Sequence, residues 1–82
     1  MVDVGCVLLE VNGRTFELDL MGRTSRQVLA ETRRLVQMME QGRGPQWAVL
    51  PVRPTDGDEV EDLFIDADLV KRGNVLVHGK HG

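Results

Sequence analysis

Few side chains in this chain have the type and spacing to do chemistry. Cys6 is the single cysteine, His78 and His81 lie three apart, Asp56-Gly57-Asp58 with Asp62 forms an acidic cluster, and Gly42-Arg43-Gly44 sets a cation between glycines. A cysteine attacks as the thiolate and needs a base or cation beside it. Strand alternation gives Cys6 the neighbours Leu8 and Asp19, an apolar group and an anion, which disfavour the thiolate. Two histidines three apart can share a metal on a helix, but these stand at a strand end and in a polar tail. The aspartate cluster echoes a calcium loop, yet its glycine falls at the second position rather than the sixth, and no helices flank it. Gly42-Arg43-Gly44 would cradle a phosphate at a helix N-terminus, whereas it follows a helix C-terminus. Arg26 with Arg33-Arg34 has the charge for anionic lipid or RNA but no interleaved aromatics. Nothing assembles a nucleophile, a base and an oxyanion donor. The sequence therefore predicts no catalytic, cofactor or metal site.

The composition supports a binding role. Eighty-two residues, 41% of them apolar, make one domain with one thin core. The expected limits are residues 1–78 for the domain and 79–82 for a short polar tail. No apolar run approaches the roughly 18 residues that span a membrane. Met1 to Gly5 lacks the basic start of a signal peptide, and a lone cysteine excludes an internal disulfide, so a cytoplasmic location is expected. The net charge of −3 argues against nucleic acid as a partner. The charges are segregated. Arg23, Arg26, Arg33, Arg34 and Arg43 face only Glu31 and Glu40, while the stretch from Asp56 to Asp68 carries seven acids and no base. Such segregation makes two solvated faces of opposite sign, or it steers a partner or drives head-to-tail self-association.

The elements that would position these groups are readable from local signals. Asn12-Gly13 between apolar runs predicts a type I′ hairpin. Its two-residue turn pairs Val11 with Arg14, Leu9 with Phe16 and Val7 with Leu18, so that Val7, Leu9, Val11, Phe16, Leu18 and Leu20 form a core face. The first strand is apolar on both faces, as a central strand is. Thr24-Ser25-Arg26-Gln27 has capping-box spacing. Val28, Leu29, Thr32, Leu35, Val36 and Met39 then form a stripe at helical period, ended by Gly42 and Gly44-Pro45. Trp47 to Pro54 reads as a third strand, Val60 to Ile65 as a fourth, Asp66 to Arg72 as a helical turn and Asn74 to His78 as the last strand.

This order resembles that of ubiquitin-like β-grasp proteins. The spacing of Ile65, Val70, Gly73-Asn74 and Leu76 is similar to the C-terminal signature of that superfamily. Within it the chain looks most like the small YukD-type proteins of bacterial type VII secretion systems, with Trp47 opening the third strand. The resemblance implies an α+β, ubiquitin-like β-grasp: a mixed four- to five-stranded sheet with one helix packed across one face, and Ile65, Val70 and Leu76 in the core. It also implies a non-enzymatic accessory subunit that docks on a protein partner in a larger assembly. The long acidic connection around Asp56 to Asp62 departs from the family.

Two other classes stand beside this reading. Sulfur carriers and conjugated modifiers of this superfamily end in Gly-Gly, of which Gly79-Lys80-His81-Gly82 keeps only the last glycine. The other alternative is a small structural subunit of an enzyme complex. For the interaction module, the first and last strands are expected to be adjacent and central, with the helix on one face only. Cys6, Leu8, Val49, Val75 and Val77 then form an apolar partner-binding patch on the open face, available to a partner or to a second copy in a homo-oligomer. The opposite phase of the last strand would place Val75 and Val77 in the core and leave no such patch.

Overall fold

Asn12 and Gly13 have φ of 52° and 83°, the left-handed pair that a type I′ turn requires. In the computed structural model, which describes residues 5–81, they join β1 (Cys6–Val11) to β2 (Arg14–Leu18). The register is the one the turn dictates, with Val11 opposite Arg14 and Leu9 opposite Phe16. The chain continues through α1 (Ser25–Glu40), β3 (Trp47–Pro54), β4 (Glu61–Asp66), α2 (Ala67–Lys71) and β5 (Val75–Lys80).

Local chemistry sets the ends of α1. Thr24 Oγ1 accepts from the Gln27 N–H at 3.1 Å, and Gln27 Oε1 accepts from the Thr24 N–H at 3.2 Å. This reciprocal pair satisfies two of the donors that a helix start leaves open. At the other end Gly42 turns left-handed at φ 72°. The Met38 carbonyl then accepts from the N–H groups of Arg43 and Gly44 at 2.9 and 3.1 Å. The predicted stripe faces inward. Val28, Thr32 and Met39 are buried, and Leu29, Leu35 and Val36 pack at its margin.

The sheet order is β4-β3-β2-β1-β5, and every neighbouring pair is antiparallel. It is thus a five-stranded antiparallel sheet with one main helix on one face, not the mixed sheet expected. β1 is an interior strand, paired on both sides as its two apolar faces required, and β5 is its neighbour. β5 is nevertheless an edge strand. Eight residues (67–74) carry the chain from β4 at one edge to β5 at the other. Four strand spacings would span about 19 Å if the sheet were flat, within the roughly 26 Å that eight extended residues can reach, and α2 packs on α1 along this crossing.

The phase of β5 is opposite to the one expected from the signature. Val75 is 5% exposed and Leu76 is 55% exposed. Val77 packs against the core from its margin. Val11 pairs with Val75, Leu9 with Val77 and Val7 with Gly79, so the inward residues of β1 meet Val75, Val77 and Gly79. The alternative phase would turn Leu76, His78 and Lys80 inward and bury two polar side chains, which is costly without partners. Leu76 is accordingly not a core residue. The polar tail is also shorter than expected, because Gly79 and Lys80 belong to β5. Lys80 pairs with Cys6, and its carbonyl accepts from the Gly5 N–H at 2.8 Å. Gly82 lies outside the described residues.

The core sits between α1 and the inner face of the sheet. Leu9, Met39, Ile65, Val7 and Val52 are its largest fully buried side chains. Ile65 and Val70 are buried as the sequence implied. Asp66 caps the short α2 between them, its Oδ1 accepting from the Asp68 N–H at 2.7 Å. No helix among the described residues is long and apolar enough to cross a membrane.

Candidate functional site

With α1 on one face, the other face of the sheet is left uncovered, and strand alternation decides what it shows. Two regions differ in character. The first is an open hollow of about 630 Å³ lined by Cys6, Leu8, Thr15, Glu17, Arg53, Pro54, Asp58 and Lys80, among others. Arg53 ties β3 to β2 here, pairing with Glu17 at 3.3 Å and with Asp19. Cys6 and Leu8 do lie on the outer face, as expected, but both are half-buried in these polar surroundings. The pairing with β5 also brings Lys80 opposite Cys6, a cation that the sequence reading had not placed there.

The second region lies on β3 and β4. Val49 and Phe64 stand directly opposite one another, Trp47 opposite Asp66, and Pro51 opposite Asp62. Trp47 and Phe64 are each 63% exposed and Val49 48%. The chain has one Trp, two Phe and no Tyr, so two of its three aromatics stand in water side by side. Only Phe16 is buried, with Arg14 stacked 5.2 Å from its ring centroid. Clustered exposed aromatics are the commonest anchors of protein interfaces. Asp62 and Asp66 close the two ends of the ladder. They are four strand residues apart, which is about 13 Å.

Of the five residues expected in an outer patch, Cys6, Leu8 and Val49 lie on that face. Val75 and Val77 do not; the register of β5 on β1 turns them toward the core. Sequence reasoning missed Trp47 and Phe64, although the signal was present. Trp47 has the parity of Val49, and Phe64 is one residue from the inward Ile65, so both had to point out.

The remaining candidates stay apart. His78 Nε2 lies 3.8 Å from Glu10 Oε2 on the outer face, and His81 is beyond the end of β5. Asp56 and Asp58 sit exposed in the β3–β4 connection. Among the described residues no three histidine, cysteine, aspartate or glutamate side chains converge as a metal site would require. The charge segregation persists in three dimensions. The ion pairs among the described residues are Arg23–Glu31, Arg53 with Glu17 and Asp19, and His78–Glu10. Arg26, Arg33, Arg34 and Arg43 on one side, and Asp58, Glu61 and Asp62 on the other, take no part in them. The arrangement offers anchors and charge for binding. The chain matches no protein-family model, no curated protein and no solved structure.

Proposed function

We propose that this chain is a non-enzymatic protein-interaction module that docks a protein partner through the ladder of Trp47, Val49 and Phe64. The observation that carries this reading is the exposure of two of three aromatics on adjacent strands of a small domain. Leaving them in water forgoes about 1.5–3 kcal/mol each of burial, a loss that a partner's surface would recover. The order of elements along the chain is compatible with the ubiquitin-like β-grasp resemblance, while the all-antiparallel sheet with β5 at its edge departs from it. That resemblance favours an accessory subunit of a larger assembly, with a type VII secretion system as the first setting to examine.

The test is direct. A partner identified by affinity capture is reconstituted from purified components, and its Kd is measured for the wild type and for W47S/F64S. Anchor residues of this kind contribute at least about 2 kcal/mol, or roughly 30-fold, each. The double variant should therefore weaken binding at least a hundredfold, with an unchanged circular dichroism spectrum. Binding equal to the wild type would overturn the proposal.

A further inference from the structure

We infer that the β3–β4 ladder of one copy receives the arginine face of α1 from a second copy, so that the chain associates head to tail. This rests on the reading of the ladder as a docking surface and names the partner that its chemistry fits. The ladder reads acid, apolar, acid: Asp62, then Phe64 with Val49 and Trp47, then Asp66. The exposed side of α1 reads cation, apolar, cation. Arg34 and Arg43 flank the exposed Met38 around a shallow depression.

The helix terminus builds that second pattern. The Met38 carbonyl holds the Arg43 and Gly44 N–H groups, and a Cβ at Gly44 would lie 3.1 Å from Met38 Cβ. Glycine at position 44 thus lets the chain fold back and set Arg43 beside Met38. The spacings agree. Arg34 and Met38 are one helical turn apart, about 6 Å, and Asp62 and Phe64 are two strand residues apart, about 7 Å. A thioether between aromatic rings and a guanidinium over a ring are both favourable contacts. Arg34, Arg43 and Asp62 make no ion pair among the described residues, while Asp66 Oδ1 already accepts from Gln46 Nε2 at 3.0 Å and from the Asp68 N–H.

The two patches lie on opposite faces of the fold, since α1 covers the inner face of the sheet and the ladder is on the outer one. One molecule cannot join its own patches, and two copies cannot close both contacts reciprocally. The contact is heterologous and repeats from copy to copy.

Sedimentation equilibrium of the full chain tests this. At low ionic strength the weight-average mass should rise with concentration beyond that of a dimer, and high salt should return it to the monomer. R34S/M38S removes the helix patch and D62S/F64S the ladder; each variant alone should remain monomeric. Their mixture keeps one intact patch of each kind and should form one-to-one dimers and nothing larger. A wild type that stays monomeric at low salt overturns the inference, as does a mass that saturates at a dimer or a mixture that does not associate. If the wild type is monomeric while W47S/F64S still abolishes binding of another protein, the ladder remains a docking surface and only the self-association fails. If W47S/F64S changes neither behaviour, both readings fall.

Discussion

Val49 and Phe64 face one another across β3 and β4 on the side of the sheet that α1 does not cover. Cross-strand pairs of this kind stabilise a sheet by a few tenths to about 1 kcal/mol, much less than either side chain would contribute if buried. Phe64→Ser should therefore lower the unfolding free energy by less than about 1 kcal/mol in a urea titration, while removing partner binding. A loss of several kcal/mol would show that Phe64 is a packing residue and not an exposed anchor.

The phase of β5 makes a second pair of expectations. Val75→Asp places an unpaired charge in the core and should unfold the domain, whereas Leu76→Asp should leave the denaturation midpoint nearly unchanged. Truncation gives the milder version. Val75→Ala should cost about 2 kcal/mol and Ile65→Ala about 2–4, with Leu76→Ala within about 0.5. If Leu76→Asp unfolded the protein and Val75→Asp did not, the strand would be in the other register.

The capping box offers a local check. Thr24→Ala removes the acceptor for the Gln27 N–H and leaves Gln27 reaching back alone. A cost of about 1 kcal/mol is expected, seen as a lower melting temperature with no change in partner binding. An unaffected melting temperature would mean that solvent satisfies the first turn equally well.

Met21 provides a stabilising prediction. It is 68% exposed and holds φ at 53°, immediately before Gly22 at 78°, so it buries little apolar surface in return for that strain. Asparagine tolerates the left-handed region better. Met21→Asn should raise the unfolding free energy by roughly 0.5–1 kcal/mol of the about 1–2 kcal/mol that such a backbone costs. Thermal unfolding of the single variant decides it, and a lowered midpoint would mean that the methionine packs on something.

Much of this protein was legible in the sequence wherever the deciding contacts are a few residues apart. Asn12-Gly13 determined the hairpin and its register, because only left-handed backbone closes a two-residue turn on twisted strands. Thr24 and Gln27 determined where α1 begins, and the stripe from Val28 to Met39 determined the face it buries. The tertiary structure decided what depends on which strand lies beside which. Pairing on β1 set the direction of β5 and turned Val75 inward and Leu76 outward, because a strand's side chains alternate and a slip of one residue exchanges its faces. The same pairing extended β5 to Lys80 and brought that residue opposite Cys6. The register of β3 on β4 placed Val49 beside Phe64 and Trp47 beside Asp66. Alternation along each strand could show that Trp47 and Phe64 point outward, but only the pairing of two distant segments could show that they form one surface.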